Sequence, residues 1–193
     1  MSPRSGSTLR ATVTVLGAAL IMLAGCSSGS GSGSASESPA RSATTADAAG
    51  LAAPEGFRTV TVTVTRPDGS TEEWCLWLAD DPGLRARGLM FVTDPDLGGA
   101  PGILFRYPED TSGDFWMRDT LLPLSIAWYD GAGSLVSSTD MVPCPDEGTD
   151  CPHYPSAGPY RYAIEVPQGE LDDLGLVDGS TIALGGHCAV GEV

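Results

Sequence analysis

Lysine is absent from the 193 residues: all ten basic side chains are arginine, against 25 aspartates and glutamates, for a formal charge of −15. A chain this acidic repels phosphate backbones and anionic lipid headgroups, which argues against nucleic acid as a partner. No apolar run is long enough for a permanent membrane-spanning helix; the longest, Ala11 to Ala24, ends abruptly at Gly25-Cys26. From Phe57 onward Gly-x-Ser-x-Gly, His-Glu-x-x-His and a phosphate-cradling glycine loop are all missing, so the commonest hydrolase, zinc-protease and nucleotide-binding signatures are not available there. The cysteines also lack redox and metal spacing. Cys144 and Cys151 have six residues between them rather than the two of a dithiol oxidoreductase, and Cys151 with His153 lacks the paired ligands of a zinc or copper site. No metal or cofactor is therefore expected, and no catalytic residue is assigned.

What is present begins with an address. Arg4 and Arg10 precede the apolar run, and small residues follow it, which is the pattern of a secretory signal. Leu23-Ala24-Gly25-Cys26 resembles the lipobox of bacterial lipoproteins. That resemblance implies cleavage after Gly25 and a lipid on Cys26, so that acyl chains hold the protein to the bilayer outside the cytoplasm. Loss of Arg4 and Arg10 would move the formal charge from −15 to −17. Ser27 to Gly56, rich in Gly, Ser and Ala, has no apolar periodicity and reads as a flexible tether with a span of about 30 Å. The expected organisation is a signal peptide over 1–25, a lipidated cysteine and tether over 26–56, and one globular domain over 57–193.

In the globular part Thr59, Thr61 and Thr63 alternate with Val60, Val62 and Val64, the period of two of a half-buried strand. Arg66-Pro67-Asp68-Gly69-Ser70 is a turn, and Glu73 to Leu78 completes a hairpin. Asp81 and Pro82 start a short helix, Pro82 to Arg87, closed by Gly88. Further strands are expected at Gly102–Phe105, Phe115–Met117, Ser125–Tyr129, Ser134–Met141, Tyr162–Val166 and Ser180–Leu184. A second short helix is expected over Gln168–Leu174, stopped by Gly175. The fold class is α+β and mainly β: a small barrel or a strongly curved antiparallel or mixed sheet with two short helices.

Four cysteines remain beyond Cys26, an even number outside the cytoplasm. Cys144 and Cys151 flank a turn-forming segment and are paired, leaving Cys75 with Cys188. The chain-entropy model gives roughly 2.5 kcal/mol for the short loop and about 5 kcal/mol for the long one.

The densest stretch is Asp114 to Ile126, where Phe115, Trp116 and Met117 precede Arg118-Asp119-Thr120. Together with Arg87-Gly88-Leu89-Met90-Phe91, Gly102-Ile103-Leu104-Phe105, Val142-Pro143-Cys144, Cys151-Pro152, Gly158-Pro159, Tyr162-Ala163-Ile164-Glu165 and Leu174-Gly175, it resembles the family called domain of unknown function 192, from roughly Leu84 to Leu184. The resemblance implies a compact, mainly-β fold in proteins that are often exported or lipid-anchored, and it implies no reaction. The chain departs from that family at Arg118-Asp119, where Lys-Asn is usual, and at Ser125, where Asp is usual.

Candidate ligand-binding residues are Arg87, Trp116, Met117, Arg118, Asp119, His153, Tyr154 and Glu165. Alternatively Trp116 and Met117 are core, and Arg118 and Asp119 form an ion pair supporting a turn. A charge at Glu165, within a strand, requires a partner such as Arg161 or Arg118. The sequence therefore points to a surface-tethered, non-catalytic module for a small molecule, a glycan or an envelope protein. The alternatives are an envelope hydrolase using carboxylates among Asp114, Asp119 and Glu165, or a purely structural envelope protein.

Overall fold

A computed structural model describes residues 53–145 and 150–190. Cys26, the leader and most of the tether lie outside the described residues. Among those residues no helix is long and apolar enough to cross a membrane.

Alternating Val and Thr produce β1 (Arg58–Thr65), with Val60, Val62 and Val64 buried. The Arg66–Ser70 turn returns the chain as β2 (Thr71–Ala79), paired so that Val62 faces Trp74. The helix α1 has the expected bounds, Pro82–Arg87. The Asp81 carboxylate accepts from the Gly83 and Leu84 amides at 2.8 and 3.0 Å, satisfying donors that a helix start leaves orphaned. There follow β3 (Ile103–Thr111), β4 (Phe115–Trp116), β5 (Leu124–Tyr129), β6 (Leu135–Met141), β7 (His153–Tyr154), β8 (Tyr160–Pro167) and β9 (Thr181–Leu184).

Seven strands form one mixed sheet in the order β6-β5-β8-β3-β2-β1-β9, with β2 and β3 parallel and the other neighbours antiparallel. The sheet does not close into a barrel. Its two edges meet only at one end, where Ser134 bridges Thr181 and the Ile182 amide donates to the Gly133 carbonyl at 2.8 Å. A Cβ on Gly133 would sit 2.2 Å from the Ile182 carbonyl oxygen, so this approach demands glycine.

The curl encloses one core: Val60, Val62, Val64, Leu76, Leu78, Leu104, Tyr129, Ile164, Val166 and Ile182. A hydrogen bond joins Tyr129 Oη to Ser180 Oγ at 3.1 Å within it. Burial pushes the Tyr129 phenol up to about 12. A second core covers the opposite face, where Leu89, Val92, Leu97, Phe115 and Met117 pack on Ile103, Phe105, Ile126 and Trp128. The strands β3, β5 and β8 serve both cores, which explains why all six residues of β5 are buried.

Two expectations are corrected. Gln168–Leu174 is a succession of turns, not a helix: the amides of Glu170, Leu174 and, just beyond it, Leu176 reach back three, four and five residues, to Pro167, Glu170 and Leu171. Gly169, at φ +91°, breaks the helical path at its second residue. Phe115–Met117 is not a strand through the main sheet. Only Phe115 and Trp116 are extended, in a two-stranded sheet with β7, and Trp116 faces outward with 45% of its surface exposed.

Both disulfides pair as expected, Cys75 with Cys188 and Cys144 with Cys151. The first fastens the C-terminal tail, which already bonds along β1 through Thr61 to Gly185 and Gly186. Because it closes a separation of 113 residues, its removal by Cys75→Ala/Cys188→Ala should cost up to about 5 kcal/mol in denaturant unfolding. Removing the other bridge, which spans seven residues, should cost about half as much. Equal losses would contradict this ranking.

Candidate functional site

A cleft of about 240 Å³ opens between α1 with Gly88–Met90, the start of β3 and the approach to β4. Its walls include Arg85, Arg87, Phe105, Tyr107, Asp114, Phe115, Trp116 and Thr120, and Glu165 lies within it. Each arrives for a local reason. The capped helix α1 carries Arg85 and Arg87 in its last turn. Alternation along β3 places Phe105 on the same face as Ile103. Central strand β8 supplies Glu165, flanked by Ile103 on β3 and Ile126 on β5.

Glu165 is 5% exposed and has no hydrogen-bonding or ionic partner among the described residues. The expected partners are engaged elsewhere: Arg161 pairs with Asp110 at 3.0 Å, and Arg118 with Asp119 at 3.6 Å. Burial alone acts on the Glu165 proton and pushes the carboxyl up to about 8, so it is largely a neutral acid at pH 7. Burial also raises the Tyr107 phenol, partly offset by a bond to Tyr160 and by Arg85, while the nearby Glu165 adds to the rise. The Tyr160 phenol is raised by burial, then by Tyr107 and Asp114, and its hydroxyl donates to the Gly113 carbonyl at 2.7 Å.

Of the eight candidate residues, Arg87, Trp116 and Glu165 line this cleft. Met117 is buried in the core. Asp119 adopts φ +54°, and its carbonyl accepts the Phe91 amide at 2.9 Å, so this residue turns the chain. Arg118 lies 5.8 Å from the Trp116 ring centre. His153 pairs in register with Trp116, with its ring 6.0 Å away and Nδ1 3.8 Å from Asp114. The Tyr154 hydroxyl accepts the Val142 amide at 2.9 Å. These side chains support the cleft's outer lip rather than its lining. Arg85 and Tyr107 were not singled out from sequence. The signal for Arg85 was its place two residues before Arg87 in the last turn of the same short helix.

The geometry can be set beside known proteins. The profile of the family designated domain of unknown function 192, described as uncharacterized ACR, matches residues 63–184. The chain belongs to that family. The match starts within β1, so the domain of unknown function 192 takes in the end of β1 and all of β2, where the resemblance read from the sequence is looser. No curated protein matches the chain. Similar solved structures include two. One is a protein of unknown function from Novosphingobium aromaticivorans DSM 12444, 30% identical, with TM-score 0.57, covering 71% of this chain and 94% of its own. The other, from Sinorhizobium meliloti 1021 and provisionally called a transcription regulator, is 26% identical, with TM-score 0.56, covering 66% of this chain and 95% of its own.

The buried acid gives a signed pH dependence. Below pH 4.5 both folded and unfolded chains hold the proton, and Glu165 adds no ionisation penalty. As pH rises towards 8 the unfolded chain releases it while the folded chain retains it, so stability falls across that window and levels off above it. Glu165→Gln should therefore gain stability over wild type by up to a few kcal/mol between those limits. Denaturant unfolding at pH 4, 6 and 8.5 measures it. A difference independent of pH would refute a buried neutral acid.

Proposed function

We propose that this member of the domain of unknown function 192 family is a lipid-anchored extracytoplasmic protein whose domain binds a small molecule in the Glu165 cleft without transforming it. The observation that carries the binding reading is Glu165 itself. Burying a carboxyl without a partner costs several kcal/mol, and the fold bears that cost at the one place where a cleft reaches it. A structural role would call for a donor from the protein. A ligand-binding role leaves that valence open, amid aromatic walls and arginines.

The anchoring reading rests on Arg4, Arg10, the apolar run and Leu23-Ala24-Gly25-Cys26. The transcriptional label of the Sinorhizobium protein is not carried over, because a charge of −15 opposes approach to DNA. One observation favours a second reading, an envelope hydrolase: Asp114 and Glu165 line the same cleft, and burial has moved the Glu165 carboxyl far from the usual carboxylate range. Asp119, the third carboxylate considered, does not line it.

Cys26→Ser should shift the protein from the membrane to the soluble fraction and abolish acylation detectable by mass spectrometry. A protein still membrane-bound and acylated after that change would refute the anchor. For the cleft, thermal unfolding against neutral sugars, sugar acids and cell-wall fragments should show a dose-dependent rise that disappears in Glu165→Leu. Ligand at 100 times its Kd adds about 2.7 kcal/mol, a shift of several degrees. Turnover of the hit, lost in Glu165→Gln, would favour the hydrolase over the binding module.

A further inference from the structure

Resting on the cleft being a ligand site, we infer that its ligand is a small hydroxylated carboxylate of the sugar-acid class, with the carboxylate held by Arg85 and Arg87 and a hydroxyl by Glu165.

Charge pairing carries the inference. The described residues include seven arginines, and five have a carboxylate within 4 Å: Arg58, Arg66, Arg106, Arg118 and Arg161. Arg85 and Arg87 have none, although acidic residues outnumber basic ones 25 to 10. Both line the cleft. Arg85 donates to the Arg106 carbonyl at 2.9 Å and lies over the Tyr107 ring at 4.8 Å. Arg87 donates to the Glu55 carbonyl and lies over Phe57 at 5.0 Å. Neutral oxygens and ring faces hold the two guanidiniums in place without neutralising them, so their remaining N–H groups are preorganised for an anion.

Neither cation influences the Glu165 proton, which responds to burial alone. No hydrogen bond or ion pair joins either arginine to Glu165 among the described residues, and a ligand engaging all three needs an anionic end and a neutral hydrogen-bonding end. The cleft wall carries two guanidiniums and one carboxylate, that of Asp114, beside the neutral Glu165. That balance matches a monoanion and disfavours a phosphate dianion. A hydroxyl suits the floor because it accepts from a protonated carboxyl and donates back to its carbonyl oxygen. The volume of about 240 Å³ is on the order of eight water volumes, the scale of one sugar ring. Trp116, 45% exposed, offers an aromatic face for such a ring.

The charged and titratable groups facing Glu165 within the cleft are Arg85 and Arg87 from α1, Tyr107 from β3 and Asp114 before β4. Tyr107 is shifted upward from 10, so Glu165 is the group that titrates near neutrality. Affinity should hold through pH 7 and fall as pH passes about 8, when ionised Glu165 loses its donor and adds a negative charge.

Titration calorimetry of the full chain with glucuronate, and with glucose and acetate as comparators, tests this. Glucuronate should bind more tightly than either comparator. Arg85→Gln and Arg87→Gln should each weaken it by about ten- to hundred-fold. Glu165→Gln, which keeps a donor, should preserve affinity at pH 7 and abolish the loss above pH 8. Circular dichroism of each variant confirms that the fold is retained. If glucose binds as tightly as glucuronate, or both arginine variants bind normally, the sugar-acid assignment is overturned while the cleft stands as a ligand site. If glucuronate does not bind folded wild-type protein, the assignment is likewise overturned. The thermal panel with Glu165→Leu then decides separately whether the cleft binds anything else.

Discussion

The structure turns on β8, the strand that pairs with β3 on one side and β5 on the other and is buried on both faces. Tyr162, Ile164 and Val166 contribute to the core inside the curl, whereas Ala163 contributes to the opposite core. A strand in that position normally reads as uninterrupted apolar sequence. Glu165 breaks the rule at the point where an ionised side chain is hardest to accommodate. The fold tolerates it because the proton stays on, turning a buried charge into a buried neutral acid that faces a cleft. A neutral acid in that setting both donates and accepts, which an ionised carboxylate does not.

The elements written in local chemistry were legible in the sequence. Alternating Val and Thr specify β1, the Pro-Asp-Gly turn specifies the hairpin, and Asp81-Pro82 with Gly88 bounds α1. What the sequence hid depends on partners distant in the chain. Gln168–Leu174 has helix-like composition, but Gly169 and the docking of Leu174 and Leu176 on the inner core draw it into turns. Phe115–Trp116 looks like a core strand because one of its two side chains is core. Its other face was decided by pairing with His153–Tyr154, dozens of residues away. Likewise Arg85 and Arg87 are ordinary helix-end arginines until the whole set of ion pairs shows that only these two, among the described arginines, lack a carboxylate.

Asp119 and Ser125, the two positions at which the sequence resemblance breaks, are held in different ways. Asp119 occupies the left-handed region, where Asp and Asn are the side chains that adapt most readily apart from glycine. Backbone conformation therefore favours a short polar side chain such as Asp or Asn there, whatever the side chain also does with Arg118. Ser125 is fully buried, donates to Asp140 at 2.6 Å and accepts the Gly169 amide at 3.0 Å. With a serine at this position, the carboxylate is supplied from the neighbouring strand, and the hydroxyl ties that pair to the turn after β8.

The two disulfides divide their effects in a way that bears on the cleft. Cys75–Cys188 closes a long loop by joining β2 to the tail beyond β9 and acts chiefly on the unfolded chain. Cys144–Cys151 closes a short one, with less entropy to remove, and sits where geometry matters more. Cys144 bridges both Arg118 and Thr120, and its amide donates to the Thr120 carbonyl at 3.1 Å. Thr120 lines the cleft, and Trp116 leads into the same segment from β4. Two residues beyond Cys151, His153 and Tyr154 pair with Trp116 and Phe115. The short bridge thus clamps both ends of a loop against the cleft's outer lip. A two-residue strand pair has too few ladder bonds to hold itself, so the position of Trp116 over the cleft depends on this cross-link and on the packing of Phe115 and Met117 into the core.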